Sequence, residues 1–228
     1  MSTFAVPRVP YADRREAGVV LAGRLRDFAG RADVVVLGLP RGGIPVAFEV
    51  ATALEAPLDV FVVRKLGLPG HPELAMGAIA SGGVRVLNDD LLQQLAVPVS
   101  VIDAVTRAER IELERRERAY RGARPAIPLE GRIVIIVDDG LATGATMRAA
   151  VLAIRRLLPS QIVVAVPVGA RDTCRVLNEL ADEVVCAAMP EPFTAVGAWY
   201  DNFAQTTDEE VRRLLVPPAA GIDARRSA

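Results

Sequence analysis

Ile133-Val134-Ile135-Ile136-Val137-Asp138-Asp139-Gly140-Leu141-Ala142-Thr143-Gly144-Ala145-Thr146 decides the fold of this chain. The apolar, mainly β-branched run from Ile133 to Val137 reads as a buried strand. Two adjacent carboxylates, Asp138 and Asp139, stand where that strand ends, and a loop of small and hydroxyl-bearing residues follows. Met147 to Ile154 then reads as a helix. A loop that enters a helix N-terminus presents backbone N–H groups and a positive dipole end, which suits an anion such as phosphate. An Asp-Asp pair after a strand also serves as a turn with an N-cap. The run Thr143-Gly144-Ala145-Thr146, following in register, favours the ligand site. A Walker A loop fits poorly, because it needs Gly-Lys-Ser/Thr at the helix start and no Lys lies in the segment.

Acids beside an anion site conflict unless the ligand carries both a phosphate and hydroxyls that donate to carboxylates. A ribose 5-phosphate meets both demands: its cis-diol would donate to Asp138 and Asp139, and its phosphate would lie in the loop from Gly140 to Thr146. The segment resembles the phosphoribosyl pyrophosphate (PRPP) signature of type I phosphoribosyltransferases, an apolar strand, two acids, then a loop ending Thr-Gly-x-Thr. The resemblance implies that Asp138 and Asp139 hold the diol and that Gly140, Leu141, Ala142, Thr143, Gly144, Ala145 and Thr146 form the 5-phosphate loop. Gly140 departs from the pattern, where many members have a larger residue.

Outward from this stretch, strand and helix patterns alternate. Asp33 to Leu39, Asp59 to Val63, Gln161 to Val168 and Glu183 to Ala187 read as strands, and Ile44 to Leu54 and Asp172 to Leu180 as helices. Tyr11 to Phe28 reads as an amphipathic helix. Leu66 to Glu73 is rich in Gly and Pro and reads as a loop. Ala75 to Ile79 and Val84 to Leu87, on either side of Ser81-Gly82-Gly83, suggest a hairpin. Asp89 to Leu95 reads as a short helix, and Ile102 to Tyr120 as a highly charged one suited to solvent or a subunit contact. The expected fold is α/β, a mostly parallel sheet flanked by helices; the family resemblance adds a flexible lid hairpin and a C-terminal hood segment. Residues 1–215 would form one domain, with the hood at about 189–215 and a disordered tail over 216–228.

Three further pieces converge on the strand ends where such folds bind ligands. Pro40-Arg41-Gly42-Gly43 follows a strand and opens a helix; its glycines allow close approach, and Arg41 offers a fork of donors. The same run also reads as a plain strand-to-helix turn with a surface arginine. In the family, the loop at this place holds the pyrophosphate, often through a strained or cis peptide, so the resemblance assigns Arg41, Gly42 and Gly43 to pyrophosphate. Arg64-Lys65 and the loop through Met76 are similar in position to the family's mobile catalytic loop, which makes Lys65 a candidate catalytic cation. His71 and Glu73 lie in that loop and read either as participants or as solvated residues. Pro190 to Asp208 gathers Phe193, Trp199, Tyr200 and Phe203 in a chain with 4% aromatic residues. Those rings suit stacking on a nucleobase, with Phe193, Trp199 and Tyr200 as the acceptor pocket; equally, they suit pinning the C-terminal arm to the core.

Bulk properties set the limits. The chain has 228 residues, with 51% hydrophobic and 24% charged, and a formal net charge of −1. That balance argues against a general nucleic-acid or anionic-membrane binder. No apolar run approaches the roughly 18 residues of a membrane span, and Met1 to Pro10 lacks the order of a signal peptide. Cys174, expected on a helix, and Cys186, expected in a strand, fit no metal spacing and read as buried thiols of a cytoplasmic protein.

The resemblance implies transfer of ribose 5-phosphate from PRPP to a nitrogen nucleophile, a nucleobase or related heteroaromatic, with release of pyrophosphate. It also implies Mg²⁺ as cofactor, near Asp138 and Asp139 and held directly or through water, with Asp138, Asp139, Arg41 and Lys65 as the catalytic set. A small-molecule acceptor is the expected partner, and a homodimer is open. Two other classes remain: a PRPP-binding regulator without transferase activity, and a phosphate-ester hydrolase, for which His71 is the thin candidate base.

Overall fold

A computed structural model of the protein describes residues 9–216, apart from the side chains of Pro72 and Glu73. The expected disordered tail beyond Val216, the first eight residues and the candidate role of the Glu73 side chain lie outside the described residues. Helix α1 (Arg14–Arg24) leads to β1 (Val34–Gly38), α2 (Gly43–Leu54) and β2 (Leu58–Val60). Then come β3 (Val63–Leu68), β4 (His71–Ala80), β5 (Val84–Leu87), α3 (Asp89–Gln94) and α4 (Val99–Arg121). The second half runs β6 (Ile133–Val137), α5 (Ala145–Arg155), β7 (Gln161–Val168), α6 (Arg171–Leu177), β8 (Glu183–Ala188) and α7 (Asp208–Leu215).

Five strands form one sheet in the order β2-β1-β6-β7-β8, and each neighbouring pair is parallel. β1 and β6 are buried along their whole lengths, as expected for strands covered on both faces. Period-2 alternation sorts their side chains. Val35, Leu37, Val134, Ile136 and Val164 pack with Met147, Val151 and Leu177 of α5 and α6. Val34, Val36, Ile133, Ile135 and Val137 pack with Leu21, Val46 and Val50 of α1 and α2. Each such side chain contributes about 1.5–3 kcal/mol of burial free energy, so these two layers hold the sheet edge that carries the site. The mostly parallel, helix-flanked sheet expected from the sequence is thus the observed fold.

The strand order places the site. From β1 the chain moves to β2 on one side, and it returns to β6 on the other. The ends of β1 and β6 therefore bound the crevice where strand order reverses, which is where open α/β sheets bind ligands.

A second sheet, β3-β4-β5, is antiparallel. It corrects the reading of Leu66 to Glu73 as a loop. β3 and β4 pair through most of that span, with register shifts at Gly67, leaving Pro69-Gly70 as the turn. Leu66 and Met76 are fully buried with Ile102 and Leu113 of α4, and that burial outweighs the turn-like composition. The hairpin around Ser81-Gly82-Gly83 is present as β4–β5. The helix expected from Tyr11 to Phe28 is shorter at its start, because the Asp13 carboxylate caps it by accepting from the Arg15 and Glu16 amides. Helix α7 was not expected; it buries Val211 and Leu215 against the cluster that holds α4.

Candidate active site

The end of β6 and the turn after β1 touch. Leu39 N–H donates to Val137 C=O at 2.9 Å, which carries the β1–β6 ladder one step past the strands. A Cβ on Gly42 would lie 2.0 Å from Asp139 Oδ2, and one on Gly43 would lie 2.7 Å from Val137 O. Only two glycines in succession let this turn pass so close to the acidic pair. The Pro40–Arg41 peptide is cis.

The loop from Gly140 to Gly144 folds back on β7 and α6. Leu141 N–H donates to Val168 C=O, and Ala170 N–H donates to Leu141 C=O, both at 2.9 Å. Leu141 is 2% exposed and its backbone groups are paired, so it supports the loop rather than facing a ligand, a correction to its place among the phosphate residues. Thr143, Ala145 and Thr146 are exposed. Gly144 has φ +69°, and no side chain caps α5 at that end. The first amides of this 11-residue helix therefore have no intrahelical partner and no side-chain cap among the described residues. Gly140 has a local reason: a Cβ there would meet Val196 Cγ1 at 2.5 Å, so the glycine lets the segment after β8 lie against the loop.

Asp138 and Asp139 are tightly held. Asp139 N–H donates to Asp138 Oδ1 at 2.9 Å. Burial, and then the charge of Asp139, holds the Asp138 carboxyl well above the usual carboxylate range. Burial also raises Asp139, against the pull of the Arg14 guanidinium, whose Nε donates to Asp139 Oδ2 at 2.8 Å. Two acids held in this way favour a ligand that brings donors or positive charge. Their hard oxygens fit Mg²⁺, which binds through one or two carboxylates plus phosphates and water. A closed protein cage is not on offer, since no group of three metal-suited His, Cys, Asp or Glu side chains occurs among the described residues.

The remaining sequence candidates are placed as follows. Arg41 lies 3.7 Å from Asp208 Oδ1, at the start of α7, and Asp208 also accepts from the Tyr120 hydroxyl at 2.9 Å. Arg64 is bound to Glu109 of α4 at 2.6 Å. Lys65 is exposed on β3 and lines a cavity of about 570 Å³ together with Asn88, Asp89, Thr146 and Arg148. The cavity thus brings Lys65 to one space with Ala145 and Thr146, at the end of the candidate phosphate loop. His71 is exposed at the start of β4. Cys174 on α6 and Cys186 on β8 are free thiols that flank Gly169.

The aromatic segment divides. Tyr200 is 6% exposed; its ring packs on Tyr11 at 5.7 Å and its hydroxyl donates to the Asp139 carbonyl. Burial and the Asp139 charge raise its pKa. Tyr200 therefore pins the C-terminal arm to the core, one of the two roles its sequence allowed. Phe193 and Trp199 remain half-buried with ring centroids 6.3 Å apart, and Phe203 is 36% exposed. The Arg14 guanidinium carbon lies 3.9 Å from the Phe203 ring centroid. Arg14 and Tyr11 were missed in the sequence, since neither has a local motif around it.

A mostly parallel sheet covered by helices on both faces, with acids, a glycine turn and an uncapped helix N-terminus at the point where strand order reverses, defines the class: an open α/β fold. Within that class, the phosphoribosyl transferase domain model matches residues 73–196, and the chain belongs to that family. It is 55% identical over 205 residues to "Putative phosphoribosyl transferase Rv0571c" of Mycobacterium tuberculosis (strain H37Rv), covering 90% of this chain and 46% of the relative. It is 29% identical over 129 residues to "Bifunctional protein PyrR" of Roseiflexus sp. (strain RS-1), covering 54% of this chain and 48% of the relative. The chain spans about half the length of these curated relatives. The crystal structure of TT1426 from Thermus thermophilus is similar with a TM-score of 0.81 and 44% identity, covering 90% of this chain and 97% of that one. Among the described residues, no helix is long and apolar enough to cross a membrane.

Proposed function

We propose that the protein transfers ribose 5-phosphate from PRPP to a nitrogen nucleophile and releases pyrophosphate. The observation that carries this reading is the contact between the Gly42 turn and Asp139. PRPP joins its diol-bearing ring directly to its pyrophosphate, so its two recognition elements must lie side by side, as these two do.

In this reading Asp138 and Asp139 accept from the ribose hydroxyls. The exposed residues Thr143, Ala145 and Thr146, with Gly144, hold the 5-phosphate through amides and hydroxyls. The 40–43 turn and Arg41 receive the pyrophosphate, for which Arg41 exchanges its 3.7 Å contact with Asp208. Lys65, on the β3–β4 ribbon, adds positive charge from the cavity it shares with Thr146. The bond from the anomeric carbon to pyrophosphate breaks with its electron pair leaving on pyrophosphate, the bond to nitrogen forms, and the nitrogen's proton passes to solvent. The transition state resembles an oxocarbenium ion, so a ribbon that covers the site and excludes water protects it from hydrolysis. Asp138 and Asp139 would hold Mg²⁺, directly or through water, and the ion would supply neutralising charge for the leaving pyrophosphate. Phe193, Trp199 and Phe203 offer ring surface to a heteroaromatic acceptor.

Calorimetric titration with PRPP, with and without Mg²⁺, tests the reading. Metal-dependent saturation, followed by pyrophosphate release when heteroaromatic amines are added, is the expected result. Binding with no release for any acceptor would instead support a PRPP-responsive regulator. No heat and no thermal stabilisation at millimolar PRPP would overturn both.

A further inference from the structure

Arg14 joins three segments at the crevice. Its Nε donates to Asp139 Oδ2 at 2.8 Å, and its Nη1 donates to the Ala204 carbonyl at 2.7 Å. Its guanidinium carbon lies 3.9 Å from the Phe203 ring centroid. The same Nε would lie 3.3 Å from a Cβ on Gly42. Its side chain is only 12% exposed. A surface arginine gains little from one ion pair, because the chain entropy it loses offsets the attraction. Arg14 is different: its two polar contacts go to two separate segments, and one face of the guanidinium lies against the second of them, at Phe203.

We propose that Arg14 is a positioning residue: it fixes the Asp139 carboxylate for the ribose diol and ties that carboxylate to the Phe203–Ala204 part of the hood. The proposal rests on the reading of Asp139 as a diol acceptor. One Asp139 oxygen is engaged by Arg14, which sets the plane of the carboxylate and leaves the other oxygen for the ligand. Without the guanidinium no other side-chain donor among the described residues holds the carboxylate, while its main chain stays fixed by the β6 register and by Tyr200. Because Arg14 also holds Phe203, ordering of the diol site and ordering of the hood are one event.

The test compares two probes on the whole protein, ribose 5-phosphate and inorganic pyrophosphate, by calorimetry in wild type, R14Q, R14K, D139N and R14Q/D139N. R14Q is expected to weaken ribose 5-phosphate binding by about tenfold, the scale of a lost charge-assisted hydrogen bond, and to leave pyrophosphate affinity nearly unchanged. R14K, which keeps the charge, should recover part of the loss. In the D139N background, R14Q should add little, since the two residues act through one contact. Retained pyrophosphate binding shows that R14Q and R14K are folded, and a cooperative thermal melt shows it for the two variants that carry D139N. Ribose 5-phosphate binding in R14Q equal to wild type overturns the proposal, and tighter binding overturns it by making Arg14 a competitor for the carboxylate. Equal losses for both probes overturn it too, as a general structural effect. A wild-type protein that binds neither probe overturns the site reading itself, a result distinct from all of these.

Discussion

Gly42 and Asp139 share the space of a single methyl group: a Cβ on Gly42 would lie 2.0 Å from Asp139 Oδ2. Gly42 has φ −62° and ψ −32°, ordinary helical values at which alanine is comfortable. On backbone grounds alone Gly42→Ala should be neutral or stabilising by about 0.4–1 kcal/mol. Any loss therefore reports the contact. We expect G42A to stay folded, with PRPP affinity reduced at least about tenfold, or ~1.4 kcal/mol. Calorimetry paired with thermal melting checks this, and unchanged affinity in the folded variant would remove the turn from the site.

The parts of this arrangement that were legible in the sequence are those set by local pattern. β1 and β6 announce themselves because strands covered on both faces must be apolar throughout. The acid pair and the Thr-Gly-Ala-Thr run stand out because they interrupt that pattern at its end. Segments stabilised at a distance were hidden. Leu66 to Glu73 has the composition of a loop, and it is a ribbon because Leu66 and Met76 find a core on α4. Helix α7 is different: it carries a local signal, the Thr207 cap three residues before Glu210 and Val211, Leu214 and Leu215 at helical spacing, but at eight residues it does not stand out from the segment read as a hood. Arg14 and Asp139 lie 125 residues apart, and an ion pair of that separation leaves no trace in either neighbourhood.

The acidic pair should cost stability at neutral pH. Asp138 has a folded pKa above the ordinary value of 3.8, through burial and the charge of Asp139. Between the ordinary and the raised value the folded state binds more protons than the unfolded one, so stability falls as pH rises through that window. Asp138→Asn keeps an oxygen for the Asp139 amide and carries no charge. In metal-free buffer D138N should melt higher than wild type at pH 8, by about 2–4 °C for each kcal/mol relieved. That gain should vanish in acid, where wild-type Asp138 is protonated. PRPP affinity should fall sharply in the same variant, because a diol acceptor is lost. A D138N protein less stable than wild type at pH 8 would show that the ionised pair is not strained in the fold.

Gly144 tests the phosphate loop. Its φ of +69° is costly for any residue with a Cβ, and a methyl group there would meet Thr173 Cγ2 at 2.5 Å. The left-handed conformation alone costs roughly 1–2 kcal/mol. G144A should therefore lower the melting temperature and weaken ribose 5-phosphate binding, while pyrophosphate, which the proposed reading places at the 40–43 turn, should bind almost as in wild type. Parallel titrations with the two probes read this directly. An equal loss for both would mean that the loops do not act as separate subsites.

Tyr200 and Trp199, neighbours in sequence, should separate two roles that aromatic residues can play here. The Tyr200 hydroxyl donates to the Asp139 carbonyl, and its ring lies between Tyr11 and Phe203. Tyr200→Phe leaves that half-buried carbonyl without its donor, a cost of about 1–3 kcal/mol. The melting temperature should drop and PRPP affinity should weaken, since the carbonyl belongs to Asp139, the proposed diol acceptor. The acceptor KM should hardly change. The Trp199 Nε1 is buried and has no hydrogen-bond partner among the described residues, so Trp199→Phe removes an unsatisfied donor along with some ring area. These effects oppose each other, and we expect a stability change within about 1 kcal/mol. If Trp199 stacks on the acceptor, W199F raises the acceptor KM with the PRPP KM unchanged. Melting curves and a KM for each substrate in both variants make the comparison. A Y200F protein as stable as wild type would mean that the arm is held by packing alone, and the hood would then be free to move without disturbing Asp139.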